Sequence, residues 1–197
     1  GFDEIPLSQE LPALPAPAQG KVGIQETNRE IVLSGAGFRY SFRKQTGLFQ
    51  SLCYENHTLL TRPMEWNVHR APLDNDKYIN SKWTEAGYDR HTVRVYSTEV
   101  KETAGGAEIA CQLGISALTI KPFVTVKALW TVDAAGHISC RLEGRRDTLF
   151  PFLPRFGLRM FMPKSFGQVE YYGYGPGESY IDKHRSSRLG VYASPVA

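Results

Sequence analysis

The sequence predicts an all-β fold of antiparallel strands. Apolar residues recur at every second position through most of the chain. Glycine and proline, 18 and 12 of them in 197 residues, interrupt that alternation at short intervals. No window carries a helical period. An apolar share of 42%, with 12% aromatic, is ample for a packed core. Strands with one apolar and one polar face, in this number, call for two sheets packed face to face.

Taken in order, residues 1–19 divide in two. "FDEIPL" reads as the last strand of a preceding domain, and "LPALPAPA" as an extended Pro/Ala spacer, which sets a domain boundary near Gly20. "FRYSF" places Phe38, Tyr40 and Phe42 on one face; a Thr46-Gly47 turn follows, then "LFQSLCYE". "TVRVYSTEV" and "AEIACQLGIS" flank Ala104-Gly105-Gly106 as a hairpin. "FVTVKALWTV" puts Val124, Val126, Ala128, Trp130 and Val132 on one side. The turn at Asp133–Gly136 leads to "HISCRLEG", and "GLRMFMP" and "VEYYGYG" complete the series. Gly1 and the final "ASPVA" read as cut ends, so the chain is expected to be a segment of a longer polypeptide.

The totals exclude several classes of function. A net charge of +3, with no run of Lys or Arg beyond two, gives nucleic acid no footing. No stretch approaches the ~18 continuous apolar residues of a membrane-spanning helix. Cys53, Cys111 and Cys140 are widely spaced among apolar neighbours and read as three buried free thiols, without metal spacing. His57, His69, His91, His137 and His184 are scattered, and no Gly-x-Ser-x-Gly occurs. "GYGPGESY" has the glycines of a phosphate cradle but Pro176 inside it and no helical pattern after it, so a tight turn is the simpler reading.

The most distinctive stretch is "WNVHRAPLDND", Trp66 to Asp76. Asp74, Asn75 and Asp76 offer oxygen ligands to a hard cation, but lack the spacing and following Glu of a helix-loop-helix calcium site. Asp and Asn side chains commonly close turns by accepting backbone N–H groups. The expectation is therefore a structural turn: Pro72 fixes its φ angle, Leu73 plugs into core or interface, and Arg70 pairs with one acid.

"RPMEWNVHRAPLDND" (62–76) and "VEYYGYGPGESYIDKHRSSRLGVY" (169–192) together resemble the C-terminal β-sandwich domain of the large bacterial β-galactosidases of glycoside hydrolase family 2. Arg70 to Asp76 matches that family's signature without a gap. Gly175, Pro176, Glu178, Tyr180 and Asp182 carry its second pattern, with Ser179 where Asn is more usual. "LPRFGLRM" and "YSFRKQTGLFQSL" fit neighbouring strands, and "KYINSKW" after Asp76 is shorter and less Gly-rich than the corresponding mobile loop.

The resemblance implies a galactose-mutarotase-like supersandwich over 20–197, truncated at its C-terminal end, behind the end of an immunoglobulin-like domain in 1–19. It implies a parent that cleaves terminal β-galactosides with retention, using two glutamates of a barrel domain absent from this chain. No catalytic residue and no cofactor then fall here; the parent would hold magnesium and sodium. Arg70, Asp74, Asn75 and Asp76 would lie in a loop on the catalytic side. The partners would be the barrel and immunoglobulin-like domains, a galactoside substrate and further copies of the parent. The compartment, cytoplasmic or periplasmic, stays open. Two other classes compete: a carbohydrate-binding module using Tyr171, Tyr172 and Tyr174, and an aldose epimerase using His137 and Glu143.

Overall fold

The structure, a computed structural model, describes residues 18, 20–118, 120–177 and 184–196. The described residues divide into two compact units, a larger one ending at Met162 and a smaller one beginning at Pro163. The Pro/Ala stretch, except Ala18, and Glu178, Ser179, Tyr180 and Asp182 of the second motif lie outside the described residues.

In the larger unit, β1 (Gly23–Glu26), β2 (Glu30–Gly35), β3 (Phe38–Arg43), β4 (Leu48–Tyr54) and β5 (His57–Thr58) form one sheet in sequence order. A second sheet has the order β10-β9-β8-β7, from β7 (Thr92–Thr103), β8 (Gly106–Ser116), β9 (Val124–Asp133) and β10 (Ile138–Arg146). All neighbours in both sheets are antiparallel. β6 (Arg62–Asn67) pairs separately with β11 (Gly157–Phe161).

The alternation becomes a core. Phe38, Tyr40 and Phe42 of β3 are buried, as are Val124, Val126, Ala128, Trp130 and Val132 of β9. Phe42 and Phe49 of the first sheet meet Trp130 of the second edge-on, with ring centroids 6.3 and 5.2 Å apart. This contact makes the fold an all-β sandwich. The β7–β8 turn needs Gly106: its φ of 141° is one L-residues rarely adopt, and a Cβ there would collide with the Val132 carbonyl.

At the β9–β10 turn, Asp133 accepts hydrogen bonds from the amides of Ala18, Ala135 and His137 and lies 2.9 Å from His137 Nδ1. Burial alone would push this carboxyl up. The Ala18 amide and the His137 side chain and amide outweigh burial and bring it down to about 2.

Two expectations are corrected. A helix, α1 (Asn80–Ala86), is present. Seven residues are too few for a period to register, and its buried side is only Trp83 and Ala86; Gly87, at φ 71°, ends it. The three thiols are also not all buried: Cys111 is, Cys53 is half-buried and Cys140 is exposed. Cys140 lies on β10, an edge strand whose inward side is only partly covered.

The smaller unit is built on a hairpin of β12 (Gln168–Gly175) and β13 (Arg188–Pro195), paired from Gln168↔Pro195 to Gly175↔Arg188. Tyr172 faces Val191 and Tyr174 faces Leu189 across it, and these four side chains are 48–69% exposed.

Candidate functional site

The loop that follows β6 is held by its own charges. β6 buries Met64 and Trp66, and Val68 just beyond it is buried too. The Trp66 ring stacks on Phe156 at 6.2 Å, and its indole N–H donates to the Thr46 carbonyl at 2.9 Å. The chain then leaves the sheet. Arg70 grips Asp76 with both terminal guanidinium nitrogens, Nη1 to Oδ2 at 2.6 Å and Nη2 to Oδ1 at 3.2 Å. Asp76 Oδ2 also accepts the Leu73 N–H at 2.7 Å, closing the single 3₁₀ turn Asp74–Asp76. The Arg70 hydrogen bond, followed by that amide, holds the Asp76 carboxyl below its ordinary value.

The same arginine ties the loop to a segment far along the chain. Arg70 Nε donates to the Pro154 carbonyl at 3.2 Å. Trp83 Nε1 donates to Phe152 at 2.9 Å, and the Tyr88 hydroxyl to Pro151 at 2.6 Å. Residues 151–154 belong to no strand, so side chains take the place of a ladder for three of their carbonyls. The Arg70 guanidinium also lies 5.6 Å from the Trp83 ring centroid, and both Trp83 and Tyr88 are fully buried. His91 completes the frame, with Nδ1 3.0 Å from the Tyr88 carbonyl and Nε2 3.1 Å from that of Trp66.

The four residues singled out in the sequence thus separate. Arg70 and Asp76 come together as a structural pair, while Asp74 and Asn75 stand exposed on the turn. Leu73 does not plug into a core: its side chain is 41% exposed, while its backbone N–H is held by Asp76. Among the described residues, no group of three or more His, Cys, Asp or Glu side chains converges as a metal site would require. Sequence reasoning missed Trp83, Tyr88, His91 and the acceptor segment 151–154. The only local signal was the pair of prolines, Pro151 and Pro154, which cannot donate to a ladder.

The competing sites fare differently. His137 and Glu143 are six residues apart in an extended segment, roughly 20 Å, too far to act as an acid/base pair on one carbon. Trp66, Trp83 and Trp130 are all buried and offer no ring to a sugar. Tyr172 and Tyr174 are exposed on one face of the hairpin, but their cross-strand neighbours are Val191 and Leu189 rather than polar groups.

Comparison with known proteins places this architecture. The family described as beta galactosidase small chain matches residues 34–197. A β-galactosidase of Actinobacillus pleuropneumoniae is 34% identical over 169 residues, 86% of this chain and 17% of the relative. One from Staphylococcus xylosus is 31% identical over 174 residues, covering 88% of this chain and 18% of the relative. One from Lactobacillus delbrueckii subsp. bulgaricus is 31% identical over 196 residues, covering 96% and 19%. The chain therefore spans less than a fifth of the length of these relatives. With the Arg70–Asp76 turn, strands β3 to β11 and the β12–β13 hairpin inside the matched region, the chain belongs to the β-galactosidase small-chain family.

Proposed function

We propose that this chain is a non-catalytic accessory domain of a retaining β-galactosidase of glycoside hydrolase family 2, acting on terminal β-D-galactosides. The match to a family of β-galactosidase small chains, over less than a fifth of each relative, carries the reading. The catalytic glutamates would come from a barrel domain elsewhere in the parent. This chain would buttress that barrel and, through the loop over residues 70–82, shape the rim of the sugar site.

The exposed apolar side chains support a docking role. Leu149, Phe152, Met160 and Met162 of the larger unit and Tyr172, Tyr174, Leu189 and Val191 of the smaller one are 43–79% exposed. The parent's other domains would cover them. In the rim, Asp74 and Asn75 would be the polar groups offered outward, with Arg70 and Asp76 holding them in place.

The test is an assay of an aryl β-galactoside with the full polypeptide that carries this chain, and with the chain alone. The full polypeptide is expected to cleave it with retention, read by NMR of the first-formed sugar anomer, and the chain alone to be inactive. Hydrolysis by the chain alone, or none by the full polypeptide, would overturn the reading.

A further inference from the structure

The outer face of the second sheet carries an arrangement that the rim loop and the docking surfaces do not use. β7 pairs regularly with β8 up to Val95↔Leu113 and resumes at Ser97↔Gln112, leaving Tyr96 as the extra residue of a β-bulge. Bulges re-aim side chains. Here the Tyr96 ring is laid across the sheet, because its hydroxyl occupies the space that a Cβ on Gly114 would need, beside Pro122. The Tyr96 side chain is 53% exposed, and the Arg94 guanidinium lies 6.0 Å from its ring centroid.

Beside the ring lies a shallow pocket of about 480 Å³ lined by Tyr96, Gln112, Thr125, Lys127, Glu143 and Arg145. The register sets these out in two rows. Gln112, Lys127 and Glu143 are neighbours across β8, β9 and β10; Gly114, Thr125 and Arg145 form the next row. An amide, a hydroxyl, a carboxylate and two cations thus lie beside a half-exposed aromatic ring, which the Arg94 guanidinium also approaches. A simple anion would be met by Glu143, and a cation by Lys127 and Arg145. A ligand whose hydroxyls both donate and accept matches the mixed set, and strand spacing of ~4.8 Å suits groups spread around one sugar ring. An apolar sugar face on the Tyr96 ring completes the fit.

We propose that this face is a saccharide-binding site, with Tyr96 as its stacking platform and Gln112, Lys127, Glu143 and Arg145 as its polar contacts. The choice of a galactoside as ligand rests on the β-galactosidase reading above; the platform itself rests on the bulge, the glycine and the exposed ring.

Saturation-transfer NMR of this chain with methyl β-galactopyranoside and with lactose tests it. The chain is expected to transfer saturation to both. Tyr96→Ala should weaken binding about tenfold or more, equivalent to ~1.4 kcal/mol. Tyr96→Phe, which keeps the ring, should retain it. Gly114→Ala, which lifts the ring, should act like Tyr96→Ala, with a far-UV spectrum checking the fold of each variant. No transfer to either sugar, transfer unchanged in both Tyr96→Ala and Gly114→Ala, or a Tyr96-dependent signal from an oligonucleotide instead would overturn the site. Galactoside hydrolysis by the full polypeptide without sugar binding here sinks only the site. Sugar binding here without that hydrolysis sinks the accessory-domain reading and leaves the site.

Discussion

The strand β9 and the hairpin β12–β13 are written in the same alternating code and meet opposite fates. On β9 each inward residue from Val124 to Val132 is at most 3% exposed, because the first sheet lies over it. On the hairpin, Tyr172, Tyr174, Leu189 and Val191 repeat the alternation at 48–69% exposure. Alternation states that a face is to be covered; it does not state by what. For β9 the cover is in this chain. For the hairpin, in our account, it lies in the rest of the parent.

The comparison breaks most visibly at the inter-sheet contact. Phe42→Ala or Trp130→Ala should cost about 3–5 kcal/mol, read by denaturant unfolding, because each empties a close-packed aromatic cluster. Asp133→Ala should cost less, roughly 1–3 kcal/mol, for the donors it leaves without an acceptor. Its pH dependence has a definite sign. The folded state holds this carboxyl at about 2, below its ~3.9 in the unfolded chain, so its contribution is complete above about pH 4. That contribution is lost as pH falls from about 4 towards 2, and Asp133→Ala should flatten this part of the stability profile.

Arg70→Ala should lower the melting temperature, and Arg70→Lys should not restore it. A lysine lacks the planar fork that reaches Asp76 twice and Pro154 once. Asp74→Ala should change unfolding by no more than about 0.5 kcal/mol, since Asp76 is the turn's buried carboxylate. Paired Tyr172→Ser and Val191→Ser changes should be nearly as quiet in denaturant unfolding, since both side chains are largely exposed.

Much of the fold was legible because its signal is local. The runs around Phe38, Leu48, Val95, Ile109, Val126 and Leu142 each announce a strand within a few residues. The candidate site was legible only as a stretch. That Arg70 pairs with an acid could be read, but Asp74 and Asp76 are chemically alike, and only burial picks Asp76. The carbonyls of Pro151, Phe152 and Pro154 lie 63–84 residues from the side chains that cap them, beyond any spacing rule. α1 was hidden by its length, and Cys140 by its place on an edge strand whose cover no local pattern reveals.

Amide hydrogen exchange, comparing this chain alone with the same residues inside the full polypeptide, tests the central claim most directly. β8 and β9 should be protected in both settings. The β12–β13 hairpin should exchange freely in the isolated chain and become protected in the full polypeptide, where other domains cover it. Equal exchange of the hairpin in the two settings would contradict the account.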